Sequence, residues 1–328
     1  MKTIRWGIIG CGAVTEVKSG PAYQQTAGFA LQAVMRRDLA KAEDYARRHG
    51  VPRWTDDADA IIRAEDIDAV YVATPPDTHL HYALRVAAAG KPCCVEKPMA
   101  RMPEECARMN AAFREAGVPL FVAYYRRSLP RFEHVAQWLA AGRIGVVRQV
   151  RWAFSRPPKP ADLAGAADWR TDPATAGGGY FVDLASHGLD LLMHLLGDID
   201  GASGTVERQL GLYPAEDAVV AHWRHAPQPD GSRPLGCGYW NFAADRRRDA
   251  VEIVGSQGAI RFSVFDDVPL VLECEGVRTE RVIAHPPHIQ LPHVANIARH
   301  LRGEASHPST GDRAARATEV MARILGRA

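Results

Sequence analysis

Along the first part of the chain, short apolar runs alternate with stretches whose apolar residues recur every three to four positions. Thr3–Ile9, Leu31–Met35, Ala69–Ala73, Pro92–Val95 and Leu120–Ala123 predict strands. Leu39–Gly50, His79–Ala89 and Pro103–Ala116 predict helices, closed by Gly50, Gly90 and Gly117. Strands separated by helices argue for a parallel sheet covered by those helices. From residue 124 the rhythm changes. Arg131–Ala141 and Val182–Leu196 predict helices, and Pro157–Ala167 a loop. Six apolar runs also occur, at Asp217–His225, Leu235–Phe242, Ala250–Val254, Ala259–Phe265, Leu270–Cys274 and Arg278–Ile283, with turn pairs such as Asp230-Gly231 and Glu275-Gly276 between them. Consecutive strands on short connections predict an antiparallel meander. Asp312–Leu325 reads as a closing helix. The expected division is an α/β domain over 1–123 and an α+β domain over 124–328, the last helix being free to pack back on the first domain.

Composition narrows the class. A chain of 328 residues suits two domains, and 47% hydrophobic with 24% charged residues suits an ordinary globular core. The formal net charge of +2 supplies no field that would draw the chain to nucleic acid or to a membrane. Six scattered cysteines form no CxxC pair, which predicts buried thiols rather than a disulfide framework or zinc ribbon. No cleavable signal pattern and no bilayer-length apolar run are read, which points to the cytoplasm.

Candidate chemistry collects at predicted strand ends. Gly10-Cys11-Gly12-Ala13-Val14-Thr15 follows the first strand, where a tight turn and a following helix could cradle a pyrophosphate. Gly10, Gly12, Ala13 and Val14 are the candidate contacts. Thr15 stands where the usual third glycine would be, so the match is partial. The second strand runs into Arg36-Arg37, with no carboxylate at positions 34–37. That predicts NADP(H) in preference to NAD(H), one arginine stacking on adenine and the other gripping the 2′-phosphate, with Lys41 as a third cation. The plainer alternative is a solvated pair, with Asp38 merely capping the next helix. Thr74-Pro75-Pro76-Asp77-Thr78-His79 ends the third strand, and Thr74, Pro75 and His79 are further cofactor candidates. Glu96-Lys97-Pro98 ends the fourth, where Pro98, if cis, would fix the direction of Lys97.

A second cluster lies on a predicted helix. After Gly177-Gly178-Gly179, the residues Asp183, His187, Asp190 and His194 fall on one narrow face, with leucines filling the rest. Ionisable groups on so apolar a helix must be paired, hydrated or facing a cleft. Three uses are open: a structural ladder, a metal site, or acid–base chemistry in which Asp183 orients His187. No further ligands are evident nearby, so no metal is expected. The triglycine would let a loop pass close to a ligand.

Taken together, Gly10-x-Gly12, Thr74-Pro75, Glu96-Lys97-Pro98 and the run from Gly177 to Asp190 resemble the glucose–fructose oxidoreductase / inositol dehydrogenase family, as do Trp169-Arg170 and Pro308-Ser309-Thr310-Gly311. The resemblance covers essentially the whole chain; Thr15 and Ala185 depart from the family pattern. It implies an N-terminal Rossmann fold, a doubly wound parallel sheet, and a C-terminal α+β domain with an open, mainly antiparallel sheet. It also implies homodimers or homotetramers built on that sheet's outer face, and substrates among sugars, cyclic polyols and their relatives. In this reading Lys97 and His187 handle the reacting oxygen and its proton, Asp183 orients His187 and partners a substrate hydroxyl, Glu96 accepts from a ribose hydroxyl, and Lys97 also borders the cofactor. Arg126, Trp169 and Arg170 are candidates to line the substrate, the plainer alternative being that they stabilise the fold. The competing classes are a non-catalytic dinucleotide sensor and a metal-dependent hydrolase built on Asp183 and His187.

Overall fold

The computed structural model describes residues 3–166 and 168–327. Six strands make the first sheet: β1 (Ile4–Ile9), β2 (Phe29–Met35), β3 (Arg53–Thr55), β4 (Ala69–Val72), β5 (Cys93–Val95) and β6 (Leu120–Val122). Their order is β3-β2-β1-β4-β5-β6 and every pairing is parallel. This is the doubly wound order, in which ligands bind beyond the carboxyl ends of the strands where the winding reverses, here between β1 and β4. All four residues of β4 are fully buried, as a parallel strand covered on both faces requires. The helix Leu39–His49 is capped by the Asp38 side chain and closed by Gly50 in the left-handed region, at φ 64°.

The chain divides into two compact units, Met1–Leu129 with Pro286–Ala315, and Pro130–His285 with Arg316–Ala328. The span expected as one domain from 124 onward is therefore interrupted. Residues 286–315 return to the first unit, where the helix Leu291–Leu301 buries Val294, Ile297 and Ala298 in the same core as Trp6, Tyr23 and Tyr71. Its apolar residues Leu291, Val294, Ile297, Ala298 and Leu301 have helical spacing.

The second unit holds eight strands: β7 (Val147–Ser155), β8 (Ile199–Glu207), β9 (Ala218–His225), β10 (Leu235–Asn241), β11 (Arg248–Gly255), β12 (Gly258–Phe262), β13 (Leu270–Cys274) and β14 (Val277–Arg281). The order is β14-β13-β12-β11-β7-β10-β9-β8. The expected meander is thus split. Strand β7 inserts between β10 and β11 and pairs parallel with β10, while the other pairings are antiparallel. From Val150 on, alternation sends Val150, Trp152 and Phe154 of β7 into the core, Trp152 against the helix Tyr180–Leu196, and Arg151 outward. The opposite face mixes exposed Val220, Leu235 and Tyr239 with an ion-pair ladder. In that ladder Glu252 pairs with Arg151 and Arg261, and Glu273 with Arg261 and Arg278. A cavity of about 900 Å³ on this unit is bordered by Val220, Cys237, Tyr239 and Val268. Exposed ion pairs are worth roughly 0–1 kcal/mol each, so the ladder contributes more to strand register than to stability. The loop expected over 157–167 contains the short helix Pro160–Leu163, and Ala167 lies outside the described residues. No described helix is long and apolar enough to cross a membrane.

Candidate functional site

Three strand ends of the first unit carry the candidate cofactor residues. Gly10 closes β1 at φ 94°, and a Cβ there would lie 2.8 Å from Thr74 Cγ2 and 2.9 Å from the Thr74 nitrogen. Glycine is therefore needed for the ends of β1 and β4 to approach each other. Gly12 is different. Its backbone is extended, and an added Cβ would meet only the Gly10 carbonyl oxygen, at 3.8 Å. That open side, ahead of the short helix Ala13–Val17, is a cradle a diphosphate can enter. Thr15 is fully buried; its hydroxyl donates to the Gly12 carbonyl and accepts the Gly12 N–H. The residue that departs from the fingerprint thus pins the turn from within.

At the end of β2 the charged residues take separate places. Arg36 is half-buried and donates to the Cys11 carbonyl at 3.4 Å, which lays its guanidinium beside the glycine turn, while Arg37 is exposed. Asp38 accepts the Lys41 N–H and pairs with the Lys41 ammonium at 2.9 Å, and Lys41 holds its carboxyl below the usual range. Asp38 is thus a helix cap, and Lys41 is spoken for by it.

At the end of β5, Glu96 is buried and accepts from three protein donors: the Tyr71 hydroxyl at 2.6 Å, the Gln290 amide at 2.7 Å and the Lys97 backbone N–H at 3.1 Å. Desolvating a carboxylate costs several kcal/mol. Hydrogen bonds to charged groups return about 1.5–3 kcal/mol each, so three of them can offset that cost. Burial, with Glu96 beside it, pushes the Tyr71 hydroxyl far above its ordinary range, so it remains a donor. This environment favours a different use of Glu96 from the expected ribose contact: it fastens the backbone that carries Lys97. Lys97 is half-buried, and the Lys97–Pro98 bond is cis.

His79, expected to touch a cofactor, is fully enclosed. One ring nitrogen lies 3.0 Å from the Pro98 carbonyl and the other 2.8 Å from that of Thr74. Burial lowers its pKa. It ties the Thr74-Pro75 loop to the Lys97-Pro98 loop, and a ring with no exposed edge cannot reach a ligand. Thr74 and Pro75 lie half-exposed at the edge where ligands bind, the Thr74 hydroxyl accepting from Thr78. Arg126 is buried over the Tyr125 ring at 5.0 Å, just beyond β6.

In the second unit the helix Tyr180–Leu196 carries the polar stripe. His187 and Asp190 are buried, and Asp183 and His194 half-buried. Asp183 lies 3.6 Å from Arg170, whose guanidinium sits 4.2 Å from the centre of the Trp169 ring. Of the five expected substrate residues, Arg126, Trp169, Arg170, Asp183 and His187, these contacts bring Asp183, Trp169 and Arg170 into one cluster. His187 meets the Phe265 ring edge-on at 5.8 Å. Behind both, Asp249 accepts the Trp152 indole N–H at 2.9 Å and the Phe265 N–H at 2.6 Å. A Cβ at Gly188 would fall 2.3 Å from Trp152, so the helix lies flat on that ring one residue past His187.

The triglycine serves packing instead of ligand approach. Gly177 has φ 79° and closes the short helix Pro173–Ala176. A Cβ at Gly178 would fall 2.4 Å from Val182 Cγ2, and one at Gly179 would fall 2.8 Å from the Glu216 carbonyl oxygen. Among the described residues no group of three or more His, Cys, Asp and Glu could hold a metal ion. Tyr71, Glu216, Asp249 and Gln290 support the site residues but were not singled out in the sequence. Gln290 and Glu216 sit far along the chain from what they hold, so only an alignment would have flagged them.

Residues 4–124 match an oxidoreductase family described by an NAD-binding Rossmann fold, and residues 132–261 match that family's C-terminal domain. An oxidoreductase of Formosa agariphila is 35% identical over 321 residues, 97% of each chain. An inositol 2-dehydrogenase of Rhizobium meliloti is 33% identical over 267 residues, 79% of this chain and 75% of its own. A levoglucosan dehydrogenase solved with NADH and levoglucosan has a TM-score of 0.84 at 21% identity, over 99% of this chain and 97% of that one. At that identity the likeness shows the fold.

Proposed function

The chain belongs to the Gfo/Idh/MocA family of NAD-binding oxidoreductases, and from that premise we propose that it moves a hydride between a nicotinamide cofactor and a carbinol or carbonyl carbon of a sugar, cyclic polyol or related compound. The carrying observation is the edge of the first sheet. The adjacent strand ends of β1, β4 and β5 present an open glycine turn, Thr74-Pro75 and a Lys97 whose backbone is anchored by a buried carboxylate. Relatives named inositol 2-dehydrogenase and levoglucosan dehydrogenase support the substrate class.

A nicotinamide dinucleotide bound at Gly10, Gly12, Ala13 and Val14 would supply the ring that exchanges the hydride. The chain's own residues handle the rest. Lys97 donates to the reacting oxygen and stabilises charge that develops there. His187 takes the hydroxyl proton during oxidation and returns it during reduction, with Asp183 orienting the imidazole. Arg126, Trp169 and Arg170 border the substrate. A panel of sugars and polyols, followed by NAD(P)H absorbance in both directions, tests the proposal. A folded preparation inactive on every member with both cofactors would refute it.

The cofactor proposed is NADP(H). Support comes from Arg36 at the glycine turn, exposed Arg37, and the use of Asp38 as a helix cap instead of a ribose acceptor. Titrating NADPH and NADH against one preparation is the test. Equal or tighter NADH binding overturns it, and a preference that survives Arg36→Ala with Arg37→Ala shows that these residues are not its source.

A further inference from the structure

The helix bearing Asp183 and His187 starts without a side-chain cap of its own: Gly179 occupies the cap position. A helix start leaves several backbone N–H groups without intrahelical acceptors, and capping side chains normally serve some of them. Here the acceptor arrives from elsewhere. Glu216, buried at the head of β9, accepts the Gly179 N–H at 2.9 Å through Oε1. Its other oxygen lies 3.5 Å from a guanidinium nitrogen of Arg327, and the second terminal nitrogen of Arg327 donates to the Gly177 carbonyl. Asp217, the next residue, is buried and accepts the backbone N–H groups of Gln209, Leu210 and Gly211 at 2.6, 2.9 and 3.3 Å, which fixes the loop leading into Glu216. Gly178 and Gly179 have no room for side chains because this segment lies against them: a Cβ on Gly178 would be 3.1 Å from Glu216 Oε1, and one on Gly179 would be 2.8 Å from Ala215 Cβ.

We propose that Glu216 and Arg327 are positioning residues: they clamp both ends of the triglycine turn and so fix the start of the helix and the directions of Asp183 and His187, about one and two turns further on. A carboxylate at a helix N-terminus also complements the positive end of the helix dipole, and Arg327 balances the buried charge. Neither residue meets substrate. The clamp deepens the acid–base reading of His187 and rests on it for its catalytic consequence.

Arg327→Ala, Arg327→Lys and Glu216→Gln test the clamp in the full chain. Amide hydrogen exchange of peptides spanning 177–190 reads the helix start directly, whatever the substrate proves to be. Arg327→Ala should speed exchange there about tenfold, the effect of losing one charge-assisted hydrogen bond on local opening. Peptides from β1 and β2, and NADPH affinity, should be unchanged. On the best compound of the sugar and polyol panel kcat should fall by a similar factor with KM little changed, and Arg327→Lys should restore most of it. Glu216→Gln keeps an acceptor for Gly179 but loses the charge, and should lie between parent and Arg327→Ala. Parental exchange over 177–190 in both Arg327→Ala and Glu216→Gln overturns the clamp. So does an Arg327→Lys variant that recovers thermal stability without recovering exchange or kcat, since that marks a merely structural role. Failure of the acid–base reading looks different: His187→Ala would keep its turnover while the exchange result stood.

Discussion

Acidification should destabilise the first unit through its buried imidazoles, His307 among them. His307 is 2% exposed; one ring nitrogen accepts the Ser309 N–H at 3.0 Å and the other faces the His293 carbonyl at 3.2 Å. The neutral ring, with one acceptor and one donor, satisfies both partners, whereas a protonated ring would strand the Ser309 N–H. Burial carries the pKa of His307 down to about 4, with His300 and Arg127 adding to the effect. His293, fully buried with its ring 4.6 Å from His307 and its Nε2 3.8 Å from the Cys94 thiol, lies well below its ordinary value, through burial first and His307 second.

Between a folded pKa of about 4 and an unfolded value of about 6.5, the unfolded chain binds more protons than the native one. The stabilisation is therefore complete above the unfolded value and is lost as pH falls through the window. For His307 alone the loss amounts to about 2 kcal/mol between about pH 7.5 and pH 5, and roughly 3 kcal/mol over the whole window. Ser309 also staples this segment to β6, its hydroxyl donating to Val122 O and its carbonyl accepting the Val122 N–H. Urea unfolding at the two pH values, on the parent and on His307→Gln, measures the effect. Glutamine can keep both hydrogen bonds without titrating, so the variant should lose about 2 kcal/mol less than the parent on acidification. Equal losses in the two proteins would refute the linkage, whatever the variant's stability at neutral pH.

Three further outcomes are expected. Lys97→Ala should lower kcat by about 10²–10³, the usual effect of losing one donor to a developing charge, while NADPH binding stays measurable; near-normal turnover in the folded variant would remove Lys97 from the mechanism. His187→Ala should lower turnover by about 10²–10⁴ without unfolding the chain, and a pH–rate profile of unchanged form and amplitude would exclude it as the proton carrier. The chain should self-associate through the outer face of its eight-stranded sheet, where Val220 is 62% and Leu235 60% exposed beside the large cavity; sedimentation as a monomer at micromolar concentration, or an oligomer unaffected by Val220→Asp, would contradict this.

Most of the parallel sheet was legible because each strand is a short apolar run punctuated by glycine or proline, and because helix stops such as Gly50 sit where a left-handed residue is required. The second sheet was less so. Strand β8 is exposed almost throughout and carries two glycines, so it offers neither apolar alternation nor strand propensity. Strand β7 alternates only from Gln149 on, its register shifting at Arg148, and its central place in the sheet depends on partners some eighty to a hundred residues away. The sequence also led to a wrong purpose for the triglycine. Glycine marks a close approach without saying what approaches, and here it is Glu216 and Val182.

The same asymmetry runs through the site. Residues proposed to act on substrate need one particular chemistry at one atom, an ammonium or an imidazole, and such types stand out at strand ends or on an apolar helix. The residues behind them need only offer a donor or acceptor at a fixed point, which many side chains can do. Gln290 holds Glu96 from 194 positions away, and Glu216 holds Gly179 from 37. The unpaired Oε1 of Gln290 is itself buried, a cost of about 1–3 kcal/mol unless a water satisfies it.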